Sequence, residues 1–185
     1  MRTVTDEVAT LELALAQTDR IVSSVRDEEW TRSSPCEGWD VSRVLRHLVV
    51  VLRQFRIAAE GGTPQWGDAD PVEGDLVDAY VQASAGLLAA WRAPGSPDGT
   101  QAAFTLGMQG TEVVLHGWDM ARGVGRTDDL DPELAEVALA FARGMLRPEY
   151  RGSSAEGKHF GPEVPVPEDA PAYDRLAGWM GRSPR

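Results

Sequence analysis

Cysteine, lysine, histidine and long apolar runs are all scarce in this 185-residue chain, and each shortage closes off a class of protein. The single cysteine, Cys36, excludes an intramolecular disulfide and any cysteine-based zinc cluster. No apolar stretch approaches the length that spans a bilayer, and the opening "MRTVTDEVATLE" has no signal-peptide core. A cytoplasmic protein without a membrane partner is therefore expected. Lys158 is the only lysine among 18 basic residues, which face 29 acidic ones for a net charge of −11. Such a balance repels polyanions, so nucleic acid is not an expected partner. No Ser-His-Asp set is apparent, and "GVGRTDD" lacks the Lys-Ser/Thr of a phosphate-binding loop.

What is present is a helical pattern in a chain long enough to bury one substantial core. Val4, Val8, Leu11, Leu15, Val22 and Val25 recur at helical spacings, predicting a first amphipathic helix over 4–27. The connector "DEEWTRSSPCEGW" follows, with Pro35 and Gly38 as turn formers. Asp40 reads as the cap of a second helix that runs to Gly61 and Gly62, with Trp39 stapled on Val44. Residues 48–52 of this helix are apolar all round, which predicts burial on more than one side. The polar segment 61–75 is too long for a simple turn. A third helix carries Leu76, Tyr80, Ala83, Leu87 and Trp91 on one stripe, and a fourth spans roughly 101–123. Asp131 and Pro132 open a fifth that ends near Arg147 and Pro148. Beyond it lies a Pro-rich extended tail with a short helix around 172–181. The expected fold is all-α: a four-helix bundle over 1–148, with an additional C-terminal helix and an extended tail, 149–185, packed on the same domain.

Loop lengths then constrain where the histidines fall. A crossover at 61–75 makes the second and third helices parallel, giving up-down-down-up order and opposing the second helix to the fourth. His47 lies about two turns after the start of one, and His116 about two turns before the end of the other. At about 1.5 Å per residue, both sit roughly 10 Å from the same end of the bundle. Glu112 lies one turn deeper, on the face of His116. His47, Glu112 and His116 together make a two-histidine, one-carboxylate set, which leaves a coordination position open as catalytic zinc sites do. Zinc is the first choice and nickel the second; Fe(II) and manganese accept the same donors. The alternative is a Glu112–His116 surface pair worth about 0.2–0.5 kcal/mol, with His47 a boundary histidine.

The stretches "SSPCEGWDVSRVLRHLVVVL" and "EVVLHGWDMARGVG" resemble the DinB-like metal-binding superfamily. Within it the likeness is to the N-terminal domain of mycothiol-dependent maleylpyruvate isomerase, over about residues 3–148. The shared pattern is Pro-Cys-x-Gly-Trp leading to a histidine in the second helix, then Glu-x-x-x-His-Gly-Trp-Asp late in the fourth. The resemblance implies a DinB-like bundle with His47, Glu112 and His116 as ligands of a divalent metal. It also implies a small-molecule enzyme that uses mycothiol or a similar thiol as cosubstrate, a thiol S-transferase or isomerase-like activity. The isomerase's separate C-terminal domain has no counterpart in these residues, so isomerisation of maleylpyruvate is not carried over. A metal-dependent hydrolase and a non-catalytic metal- or ligand-binding module stand as alternatives. A monomer or a homodimer fits equally.

Other residues are weighed beside these. Asp119, three residues past His116, is either an acceptor for an imidazole N–H or, as preferred here, a partner of Arg122. Arg122 is read as an exposed charge. Trp39 and Trp118 are read as staple and core. Cys36 is read as a packed thiol in preference to a nucleophile. His159 and the 61–75 segment are surface or lid elements, and no catalytic side chain is assigned.

Overall fold

Among the described residues, five of the six helices in the computed structural model begin where a side-chain oxygen takes up free N–H groups of a first turn. The structure describes residues 3–66, 72–152, 156–158 and 160–184. Among them are α1 (Val4–Ser24), α2 (Val41–Ala59), α3 (Leu76–Arg92), α4 (Gly99–Val124), α5 (Pro132–Met145) and α6 (Ala172–Trp179). Thr3 and Asp6 form a capping box on α1. Asp40, Asp75, Asp98 and Asp131 cap α2 to α5. Each such cap contributes about 1 kcal/mol. Short 3-10 turns occupy Asp27–Glu29 and Pro148–Tyr150. No strand forms among the described residues, only isolated bridges pairing Ser33 with Asp40 and Arg151 with Phe160.

Contacts at both ends of each pair fix the helix directions. The Tyr80 hydroxyl, early in α3, donates to the Leu15 carbonyl, while Arg92 at the other end of α3 pairs with Glu12, so α3 opposes α1. Arg46 donates to the Val72 carbonyl near the start of α3, and Ala59 and Ala90 share a cleft at the far ends, so α2 and α3 are parallel. Leu11 borders the same groove as Gly107, and Thr18 meets Val113 a few turns on, so α1 and α4 are parallel. The order is therefore up-down-down-up, as the long crossover predicts.

The core holds Leu11, Leu45, Leu48, Leu52, Tyr80, Leu87, Leu115, Trp118 and Leu139, all nearly inaccessible. Residues 48–52 are buried around most of the helix, as their composition requires. Gly117 lets α4 approach α1, since a Cβ there would lie 2.6 Å from Thr18 Oγ1. α6 packs on α5 with Leu176 and Ala177 fully buried. Gln17 ties this region to the bundle, donating to the Tyr173 hydroxyl (2.7 Å) and accepting from the Asp131 N–H (2.6 Å).

Several boundaries differ from those read in the sequence: α5 ends at Met145 and α6 at Trp179, each about two residues early. α1 stops at Ser24 rather than 27, because the chain turns into the 3-10 segment around Glu29. α4 starts at Gly99, where Asp98 caps it.

Candidate metal centre

Opposed running of α2 and α4 brings Val41 against Gly123 and, about two turns further in, His47 against Glu112 and His116. His47 Nε2 lies 3.4 Å from Glu112 Oε1, and His116 Nε2 lies 3.8 Å from the same oxygen. One donor atom from each residue falls within 4.8 Å of the other two. The imidazoles meet edge to face at 4.9 Å between centroids. His116 is the deepest, 5% exposed, while Glu112 is 30% exposed.

Charge around the trio keeps Glu112 ionised. Burial alone would raise its pKa, but the His47 hydrogen bond and the charges of His116, His47 and Arg182 outweigh burial and hold it at about 2. The far side of His116 is equally well defined. Its Nδ1 lies 2.9 Å from Oδ2 of Asp119, a carboxylate with no exposed surface. A proton on Nδ1 donated to that carboxylate leaves the Nε2 lone pair facing Glu112.

The pairing of Asp119 corrects the sequence reading. Arg122 does not hold it; that guanidinium is exposed and donates to the Pro184 carbonyl at 2.6 Å. Asp119 shares the buried face of His116, whereas Arg122, a further three residues on, has rotated toward solvent. The cation on Asp119 is Arg182, from the C-terminal tail, whose Nε stands 3.0 Å from each carboxylate oxygen.

Trp118 is fully buried core, as read. Trp39 does more than staple a helix start: its ring stacks on His116 at 6.1 Å and meets His47 edge-on at 5.0 Å. Arg43 lies 4.9 Å over the same indole. Cys36 is half-buried; burial pushes its thiol pKa up, and Arg182 Nη2 approaches its sulfur to 3.9 Å. That environment matches the packed-thiol reading.

The trio opens on a cavity of about 470 Å³ whose walls include Trp39, Phe55, Trp66, Leu115, Phe160 and Met180, together with Arg182 and Cys36. Gln54 accepts the Gln65 N–H at 2.6 Å, and Trp66 packs edge-to-face on Phe55 at 5.1 Å, which brings the start of the 61–75 segment to this cavity. Residues 67–71 of that segment and His159 lie outside the described residues. Phe160, Met180 and Arg182 were not singled out from the sequence, and no periodicity marks them. A larger cavity of about 580 Å³ lies between α1, α4 and α5, but it is lined mainly by apolar groups such as Leu106, Val114 and Phe141 and has no histidine. The smaller one holds both described histidines. No helix is long and apolar enough to cross a membrane among the described residues.

Comparison with known proteins places this architecture. The chain matches the mycothiol maleylpyruvate isomerase N-terminal domain model over residues 11–93, which contains His47. It is 33% identical, over 183 residues, to an uncharacterized protein of Mycobacterium tuberculosis found in two strains, with 89% of this chain and 91% of that protein covered. No solved structure matches it. The chain belongs to the DinB-like family of the mycothiol maleylpyruvate isomerase N-terminal domain.

Proposed function

We propose that His47, Glu112 and His116 ligate one divalent metal ion, and that the protein uses it to join a low-molecular-weight thiol such as mycothiol to a small electrophile. One observation carries this reading: donor atoms from two opposed helices stand within 4.8 Å of one another on a cavity wall. The residues fit such an ion. Two imidazole nitrogens and one carboxylate oxygen form a catalytic zinc donor set, with room left for a further ligand. Zinc is the first candidate, and nickel, iron or manganese would accept the same atoms. Bound there, the ion would favour thiolate over thiol in a cosubstrate.

The chain's own groups supply the rest. Glu112 is held ionised and ready to donate. Asp119 orients His116 through Nδ1. Trp39, Phe55, Trp66 and Phe160 line the cavity with apolar surface that excludes water from a reacting thiolate. Burial raises the pKa of Cys36, which supports an external thiol over this side chain as the nucleophile.

Elemental analysis of untagged protein, followed by thiol consumption against a panel of electrophiles with and without metal, tests the reading. The expected result is about one equivalent of metal and thiol loss that disappears in a folded His116→Ala variant. Undiminished turnover in that variant would discard it, and turnover without any thiol would replace transfer by hydrolysis.

A further inference from the structure

We propose that Arg182 is a positioning residue of the metal centre, acting through Asp119 to fix the ring and tautomer of His116. The C-terminal tail is then a working part of the site. This rests on the metal reading of His47, Glu112 and His116, but it is carried by separate contacts.

Asp119 has no exposed surface, and the hydrogen-bond partners seen for its carboxylate are the His116 ring and Arg182. Arg182 Nε is equidistant, at 3.0 Å, from both oxygens, and this three-centre contact sets the carboxylate plane. With that plane set, Oδ2 stands 2.9 Å from His116 Nδ1. Without Arg182 the carboxylate can turn about its own bond, and the imidazole loses its fixed acceptor. The Nε2 lone pair then loses its aim at the atoms it must share an ion with.

The tail is built to deliver this one side chain. Gly178 meets the tail's earlier strand-like segment so closely that a Cβ would fall 2.4 Å from Val166 Cγ2, and the Val164 N–H donates to the Gly178 carbonyl at 2.9 Å. Gly181, at φ +80°, crosses Gly161 with room for no side chain, a Cβ there lying 3.1 Å from the Gly161 backbone. The Arg182 N–H then donates to the Ala177 carbonyl at 2.8 Å, and its Nη1 to the Met180 carbonyl at 3.1 Å. Every bond that seats Arg182 also aims Nε at Asp119. A guanidinium that only anchored a chain end would not need to be 14% exposed beside a metal-facing histidine.

The test compares wild type, Arg182→Ala, Arg182→Lys, Asp119→Asn and the Asp119→Asn/Arg182→Ala pair in the full chain. The deciding readout is the His116 tautomer in metal-free protein, from ¹⁵N–¹H imidazole correlations; the second is Zn²⁺ affinity by chelator competition. Wild type should carry the His116 proton on Nδ1. Arg182→Ala should shift the ring toward a mixture of tautomers and weaken Zn²⁺ binding about tenfold, the low end for loss of an outer hydrogen-bond partner. Arg182→Lys should restore part of both. In the Asp119→Asn background, Arg182→Ala should add nothing, because the two act in series. An unchanged His116 tautomer in a folded Arg182→Ala protein overturns the proposal, as does an Nε2 proton in wild type. If wild type binds no metal, the metal reading falls, while the tautomer still decides the role of Arg182. Should the alanine variant fail to fold, Arg182→Gln, which keeps the stem, takes its place.

Discussion

Two carboxylates on neighbouring parts of the molecule, Glu29 and Glu112, are both held at a pKa of about 2, yet by different company. Glu29 is 1% exposed and enclosed by guanidinium groups. It accepts the Arg26 N–H at 3.0 Å and stands 2.7 Å from the Arg26 side chain, 3.1 Å from Arg32 and 2.9 Å from Arg126. Its low pKa comes first from the backbone bond of Arg26, working against burial, and then from Arg126. Those charges persist at any pH the fold meets. Glu112 has two imidazoles instead, at 3.4 and 3.8 Å, and keeps 30% of its side chain open to a cavity. The first carboxylate has short bonds on all sides and ties the turn before α2 to the residues after α4. The second has one long hydrogen bond, to His47, and a more distant imidazole, both on its cavity side. Equal acidity thus hides different surroundings, one closed by arginines and one open to a cavity, which is where the proposed chemistry would need its donor.

The comparison can be broken most directly at Glu112. Glu112→Gln should weaken Zn²⁺ binding by about 100-fold or more, beyond the cost of losing an outer partner, while the metal-free protein melts somewhat below wild type, because a carboxyl whose pKa is lowered on folding stabilises the fold when ionised. Isothermal titration and thermal melts read both halves. Next in size, Glu29→Gln should lower the melting temperature clearly and leave Zn²⁺ affinity unchanged, since it strips the arginines of their shared anion but touches no donor. If the two variants exchanged phenotypes, the division of roles proposed here would be wrong.

A pH series sharpens the same contrast. Glu29 has its pKa lowered on folding, from 4.5 to about 2, so its ionisation stabilises the fold fully above about 4.5. That contribution is lost as pH falls from there through 2. Urea midpoints between pH 5 and 2 should therefore decline more steeply in wild type than in Glu29→Gln. Smallest is Asp40→Ala, which removes the oxygen that accepts the Arg43 N–H and should cost about 1 kcal/mol of stability with metal affinity intact.

Much of this was legible before any coordinates. Aspartates ahead of apolar periodic runs mark the helix starts, since a cap is a local event between near neighbours. The length of 61–75 gives the helix directions, and direction alone brings His47 to the level of Glu112 and His116. The limits are equally physical. Asp119 has Arg122 within reach on its own helix, and only the path of a tail 63 residues away selects Arg182 instead. Trp39 announces itself as a helix staple by position, yet its ring faces two imidazoles because the connector folds back on α2. Glu29, just past the end of α1, takes Arg26 and Arg32 from three residues to either side, but its third arginine, Arg126, comes from 97 residues away, a pairing that no spacing rule encodes.

One wall of the cavity is drawn from Phe160, Met180 and Arg182, all outside the two helices that carry His47, Glu112 and His116. On the proposed reading, one short tail both walls the cavity and holds His116 in place through Asp119. Exchanging the last few dozen residues would then alter which compounds fit and how firmly one donor is aimed, and kin with dissimilar termini would be expected to diverge in both.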